Sequence, residues 1–254
     1  MIDTLRSEWI KFRTVPMNVV LLGIGAGLPF LITLLTTLLI DADDMDGQDV
    51  LERAVGSSLI TAMLLGVIAV AGVAGEFGFG TIRPTFAATP RRMRVVGAKV
   101  VVSVGVAAVV QFVLIAVCFA IGSALITSRG GSAGWADTSG SREPIVGIVL
   151  FAAIVSLIGV GIGLLVRSTP GAVAILILWP LIAEGLIATL LFVARLDTVA
   201  EFLPFQAGNR LWFFDDGSLG EDVVLGRWTG GLVFLVAGAV VVWLGALVTS
   251  KRDA

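Results

Sequence analysis

The sequence predicts an all-α integral membrane protein: a single domain over residues 1–254, built as a bundle of six transmembrane helices. Of its residues, 57% are hydrophobic and only 14% are charged, whereas an ordinary soluble domain carries about 25% charged residues. A soluble protein this apolar could not cover its surface. Six segments also hold the roughly 20 apolar residues that a helix needs to cross a bilayer.

Each predicted span is a nearly uncharged apolar run. In chain order the spans are Asn18–Ile40, Val55–Ala74, Val100–Ile126, Ile145–Val166, Gly171–Ala194 and Thr229–Val248. Five contain no charged residue, and the fifth along the chain contains only Glu184. Most of the 17 lysines and arginines fall on one side if the N-terminus is cytoplasmic. The positive-inside rule then predicts a cell-membrane protein with both termini in the cytoplasm.

An interfacial helix is expected over residues 2–13, before the first span. Apolar residues recur there at spacings of three and four, and so share one helical face: Ile2, Leu5, Trp9 and Phe12. The remaining positions include Arg6, Lys11 and Arg13. Such a helix lies in the headgroup plane, in contact with lipid. The alternative is an unstructured basic tail.

Composition also excludes several kinds of site. The chain has no histidine, no tyrosine and one cysteine, so histidine triads, the commonest metal ligand and an intrachain disulfide are absent. None of the three lysines follows a glycine, so no P-loop is present. The net charge of −2 does not suggest nucleic-acid binding. We therefore predict no catalytic, cofactor-binding or metal site, and interpret Gly159, Gly161 and Gly163 as positions of close helix approach.

The most informative segment is the predicted cytoplasmic loop of residues 75–99. It begins with Glu76 and Gly80-Thr81-Ile82-Arg83, continues with Pro90-Arg91-Arg92, and ends at Lys99. Prolines and glycines divide it into helix-compatible stretches. A basic loop that merely orients the third span would explain the arginines after Pro90. It would not explain Glu76 at the membrane exit or the Gly-Thr-Ile-Arg turn.

The predicted outside segment of residues 195–228 is too apolar for a free loop. We expect short helices that dip into the outer leaflet or re-enter the bundle, closed by an Asp215-Asp216-Gly217 turn. Backbone of this kind is tolerated at membrane depth only where protein or water covers it. An aromatic belt at the membrane interface is the alternative.

With these features, the chain resembles the permease subunits of ABC transporters of the ABC-2 exporter type. The resemblance rests on the amphipathic start at residues 6–13, on the residue 76–99 motifs, and on Leu203-Pro204-Phe205 after span five. It implies a coupling helix that docks on a separate cytoplasmic ATPase, with Glu76, Gly80, Thr81, Arg83, Pro90, Arg91 and Arg92 as coupling residues. It also implies an outer gate at Leu203, Pro204 and Phe205.

The resemblance further implies what the protein does and needs. ATP-Mg would act only through the partner ATPase, and a second permease copy, identical or related, would complete the path. The small predicted outside loops favour a lipophilic or amphipathic substrate: a drug, an antibiotic, a lipid or a peptide. The chain itself would not be an enzyme.

Glu184 supports an alternative function, a proton-coupled secondary transporter. A carboxylate near mid-membrane costs at least about 2.5–3.5 kcal/mol on insertion scales, so it needs a partner or a water-filled path. Pro180, four residues earlier, is expected to kink the span and free a carbonyl near Leu176. A purely structural Glu184, hydrogen-bonded to freed backbone, is the competing interpretation. A structural or sensor subunit is a further possibility.

Overall fold

The computed structural model describes residues 2–81, 92–135, 142–214 and 224–252. Within these ranges the chain is helical and contains no strand. Six helical segments are long and apolar enough to cross a membrane, which confirms the predicted all-α, six-span, multi-pass class. Arg83, Pro90, Arg91 and the Asp215–Gly217 turn lie outside the described residues.

The helices fall where the apolar runs lie in the sequence. They are α1 Ile2–Thr14, α2 Pro16–Leu39, α3 Gly47–Ser57, α4 Leu59–Gly78, α5 Arg92–Ser128, α6 Arg142–Val166, α7 Thr169–Leu178, α8 Glu184–Val193, α9 Asp197–Ala200, α10 Pro204–Asn209 and α11 Arg227–Arg252. A 3-10 turn covers Ala42–Asp44, and a π-helical turn, Trp179–Ala183, joins α7 to α8.

Two spans begin earlier than the sequence indicated. The second starts at Gly47 because Asp46 and Asp49 form a capping box, in which each side chain accepts a hydrogen bond from the other's backbone N–H. The third starts at Arg92, so Lys99 lies inside a helix and not at the end of a loop. In both cases polar residues form the first turns of a helix whose later turns are apolar.

Helix α6 is the centre of the bundle, with 67% of its most apolar window buried, against 11% for the α7–α8 span. Glycines of α6 allow the neighbouring helices to pack closely enough to bury it. A Cβ on Gly159 would lie 2.5 Å from the Gly66 carbonyl oxygen of α4, and one on Gly161 would lie 2.7 Å from the Val242 nitrogen of α11. Two neighbouring helices therefore approach α6 at backbone distance, as predicted.

The bundle has two ends with different polar chemistry. At one end, called here the N-terminal side, α1 meets the end of α4 and the first half of α5. At the other, called the opposite side, α9 and α10 lie between the end of α8 and the start of α11. Each end holds at least one buried carboxylate, Glu8 at the N-terminal side and Glu184 at the opposite side, so each is a candidate site.

Candidate functional site

Four charged side chains from three helices meet at the N-terminal side, forming what we call the charge network: Glu8 and Lys11 of α1, Glu76 of α4 and Lys99 of α5. Lys99 Nζ lies 2.9 Å from Glu8 Oε2 and 2.7 Å from Glu76 Oε1. Lys11 Nζ lies 2.8 Å from Glu8 Oε1 and 2.8 Å from Glu76 Oε1. Each ammonium group therefore bridges both carboxylates, and the four charges sum to zero.

The network is buried except at Lys11. Lys99 is 3% exposed, Glu8 8% and Glu76 11%, whereas Lys11 is 42% exposed. Lys99 also donates to the Gly72 carbonyl oxygen at 3.3 Å, so its three N–H groups all have acceptors. An ammonium group this buried is tolerated only with such complete pairing.

The pKa of Lys11 depends on both its partial burial and its hydrogen-bond partners. Partial burial lowers the pKa of Lys11, but its hydrogen bonds to Glu76 and Glu8 outweigh that effect, and the pKa is raised above its ordinary value. Lys11 therefore stays protonated at every physiological pH.

The network fixes the two helices that flank the predicted coupling segment. Gly80 follows the end of α4 with φ +70°, a left-handed conformation that favours glycine. The Thr81 hydroxyl donates to the Glu76 carbonyl oxygen at 3.4 Å. Arg92 is the first residue of α5. Segment 79–91 therefore leaves α4 three residues after Glu76 and joins α5 seven residues before Lys99.

Of the predicted coupling residues, Glu76 is thus committed to contacts within the chain. The pairing could not be seen in the sequence because Glu76 and Lys11 are 65 positions apart, and Lys99 and Glu8 are 91 apart. A signal did exist. Two acidic and two basic residues flank three apolar runs at the same predicted depth, and buried charges require partners.

A cavity of about 680 Å³ lies beside the network. The charge network forms one wall, and the other walls are mostly apolar side chains of α2, α4 and α5, among them Leu65, Ile68, Val102 and Val106. A volume in this range is typical of small-molecule sites. The sequence gave no indication of this cavity, because its walls come from five helices.

At the opposite side, Glu184 accepts hydrogen bonds from α10, a short helix of segment 195–214. It is 1% exposed. The Phe205 backbone N–H lies 3.0 Å from both carboxylate oxygens, the Gln206 N–H donates to Oε2 at 3.1 Å, and Trp179 Nε1–H donates to Oε1 at 2.9 Å. Both oxygens are therefore satisfied in the deprotonated form.

The local sequence creates this geometry on both sides of the contact. Pro180 lies in the π-helical turn, where the Glu184 N–H bonds to the Trp179 carbonyl oxygen, five residues back, so the predicted disturbance of the span takes this form. Pro204 is the first residue of α10, which leaves the following N–H groups without helical partners. Glu184 supplies the missing acceptors from another helix.

Segment 195–214 packs on the bundle through aromatic rings and glycines. Phe205 contacts Phe151 of α6 and Phe234 of α11, with ring centroids 6.4 and 5.0 Å apart. A Cβ on Gly147 would lie 1.7 Å from the Leu211 carbonyl oxygen, so backbone sits against backbone there. Two short helices, α9 and α10, are present in this segment, and the Phe205 side chain of α10 is buried.

The predicted gate residues thus have distinct positions. Leu203 precedes α10, Pro204 begins it, and Phe205 both fills the aromatic cluster and donates to Glu184. One of the two interpretations of Glu184 from the sequence was a hydrogen bond to backbone freed by Pro180. The structure instead places it against the N–H groups of residues 205 and 206, whose position depends on packing that a single sequence does not reveal.

Comparisons with known proteins give no assignment. No protein-family model matches the chain, no curated protein matches it, and no solved structure matches its fold. In the described ranges, no group of three or more acidic or cysteine side chains is placed to hold a metal ion.

Proposed function

We propose that this chain is the membrane-spanning permease subunit of an ATP-driven exporter of the ABC-2 type. The observation that carries the proposal is the charge network, which ties α1, α4 and α5 together near the ends of α4 and α5 that segment 79–91 connects. A force applied to that segment would pass to three helices at once, because buried ion pairs resist separation. That is the mechanical requirement of a coupling element.

The proposed mechanism needs a separate motor. The Lys/Arg distribution places the N-terminal side in the cytoplasm of the cell, with α1 at the membrane interface. A cytoplasmic ATPase would bind segment 79–91, where Arg83, Arg91 and Arg92 suit acidic partner surfaces better than lysines. ATP-driven closure of two such ATPases would move the α4–α5 pair, and a second permease copy would form the other half of the path.

The opposite side would serve as the outer gate. The α10 helix covers the end of the bundle through Phe205, and its attachment to Glu184 links it to the π-helical turn of the fifth span. A tilt of that span would therefore displace α10. The exported substrate, lipophilic or amphipathic, would leave past Leu203, Pro204 and Phe205.

Proton-coupled transport through Glu184 is less well supported. Both carboxylate oxygens accept N–H hydrogen bonds, and adding a proton would set a donor against those donors. Such a group holds its position more readily than it carries a proton. Transport driven by a proton gradient in ATPase-free vesicles would favour the secondary transporter over our proposal.

Affinity purification in mild detergent tests the permease function. We expect the chain to recover a P-loop ATPase, and an Arg91→Glu, Arg92→Glu double variant to lose it. Arg142→Glu, an exposed arginine of the opposite side, is the matched control and should keep the ATPase. Failure of the folded wild-type chain to recover any ATPase would contradict the proposal.

A further inference from the structure

The cavity beside the charge network is mostly apolar: in the described part of the chain, its polar lining consists of the four charged residues together with Asn18, Thr81, Ser103 and Thr169. Its Glu8, Lys11, Glu76 and Lys99 side chains lie together, and Leu65 and Val106 belong to the apolar remainder. Such a surface matches a molecule with one polar end and an apolar body, since only that shape satisfies both kinds of wall.

One carboxylate oxygen of the charge network, Glu76 Oε2, lacks a hydrogen-bond donor. Glu76 Oε1 accepts from both lysines, but in the described part of the chain Glu76 Oε2 is buried and has no hydrogen-bond partner. Lys99, in contrast, has an acceptor for each of its three N–H groups. A buried carboxylate oxygen without a donor is costly, so a ligand that supplies one would be favoured at this wall.

The unpartnered Glu76 Oε2 decides which head group fits, because the formal charges of the network sum to zero and do not by themselves favour a cation or an anion. A sulfate or carboxylate would bring only acceptors to this oxygen. A protonated amine brings N–H donors and forms the stronger, charge-assisted hydrogen bond with a carboxylate.

We propose that this cavity is a binding site for amphipathic primary or secondary amines, with the ammonium head at Glu76 and the apolar body along α4 and α5. The inference deepens the proposed function, on which it rests, by naming the class of molecule that the permease carries. The site lies at the N-terminal side, where an inner-leaflet or cytoplasmic molecule would enter.

Photolabelling of the purified full chain in lipid nanodiscs tests the site. The probe is a primary alkylamine with a diazirine in its chain, compared with the matching alkyltrimethylammonium and alkyl sulfate. We expect the amine to label the α4 and α5 peptides that line the cavity, and excess unlabelled alkylamine to suppress that labelling. The other two probes, which lack N–H donors, should label these peptides at least about tenfold less.

Two variants separate binding from folding. Glu76→Gln should reduce labelling by about tenfold, but it also disturbs the network. Val106→Trp fills the cavity without touching a charge and should abolish labelling. Val109→Trp, on the lipid-exposed surface of the same helix, is the control and should leave labelling unchanged. Equal labelling by all three probes, or full labelling of Val106→Trp, would overturn the site.

The outcome is independent of the ATPase test. Labelling requires no ATPase, so a chain that binds an ATPase but is not labelled in the cavity contradicts the amine site alone. A chain that is labelled but recovers no ATPase contradicts the permease function and leaves the binding site standing.

Discussion

The two ends of this bundle bury carboxylates in different ways. At the N-terminal side, Glu8 and Glu76 are paired with ammonium groups from other parts of the chain. At the opposite side, Glu184 is held by backbone and indole N–H groups. The first arrangement joins three long helices through balanced charge. The second attaches one short helix, only 21 residues further along the chain, to the end of a span.

This difference predicts how the stability of each end responds to the substitution of one of its polar side chains. Removing one of the buried members of the charge network, Glu8, Glu76 or Lys99, leaves an uncompensated buried charge between long helices, so the whole bundle loses stability. Removing the Glu184 carboxylate leaves N–H groups of a short helix without acceptors, so order is lost locally. The following predictions test this distinction, from the largest expected effect to the smallest.

Lys99→Met is expected to cause the largest loss. Methionine has a similar length, but Glu8 and Glu76 would face each other with only the half-exposed Lys11 between them. We expect the free energy of unfolding in detergent to fall by about 3–5 kcal/mol. Lys251→Met, at an exposed position near the C-terminus, is the control, and a similar loss there would show that charge removal itself is responsible.

Exchanging the charges of Glu8 and Lys99 tests whether these two residues are directly paired. Glu8→Lys combined with Lys99→Glu keeps two positive and two negative groups in the network. We expect the double variant to recover part of the stability that either single change removes, with the coupling measured as a double-mutant cycle. Simple additivity of the two losses would contradict direct pairing.

Gly147→Ala tests the close packing of α6 against the Leu211 backbone at the opposite side. The added methyl group would lie 1.7 Å from the Leu211 carbonyl oxygen, so backbone has to move. We expect a loss of about 1–3 kcal/mol, measured by chemical unfolding in detergent, and greater exposure of Phe205. Gly105→Ala, where nothing lies within 4 Å of the new Cβ, should not destabilise the protein.

Glu184→Gln should loosen α10 without unfolding the bundle. The amide keeps one acceptor oxygen but turns an NH₂ group toward N–H donors. We expect the Phe205 and Gln206 amides to exchange with solvent deuterium about tenfold faster, since a buried donor loses its acceptor. Thr189→Val, at an exposed position of the same span, is the control. Unchanged exchange at both amides would mean that packing alone holds the segment.

The sequence was sufficient for the spans because each is a long apolar run, and a bilayer demands about 20 such residues. The sequence also identified Glu184 as a charged residue within a span that needs a partner, and Pro180 as a position where the helix is disturbed. These are local signals. The starts at Gly47 and Arg92 were missed because a polar first turn is indistinguishable from a loop until its capping partners are known.

The remaining features depend on long-range geometry. Lys99 was placed at the end of a loop, and Glu76 was interpreted only as a coupling residue. Their meeting with α1 depends on how three helices pack. The same holds for the donors to Glu184, which belong to a helix whose position is set by Phe151 and Phe234. A single sequence shows that buried charges need partners, but not which ones they have.

Lys11→Met should have the smallest effect on stability. Because Lys11 is 42% exposed, water screens its ion pairs, and we expect a loss of roughly a few tenths of a kcal/mol, reduced further by salt. This residue shares both carboxylates with Lys99, so the contrast between the two lysines measures how far burial determines the strength of each pair.

The pH dependence of that loss follows from the raised pKa of Lys11. The folded protein holds the Lys11 proton more tightly than the unfolded chain, so its contribution is fully present below the unfolded pKa, about 10.4. It disappears as the pH rises through the folded value. The stability difference between wild type and Lys11→Met should therefore be flat from about pH 6 to 9 and shrink only at higher pH. Unfolding titrations at these pH values measure it, and a difference that changes within the neutral range would contradict its assignment to the Lys11 ammonium group.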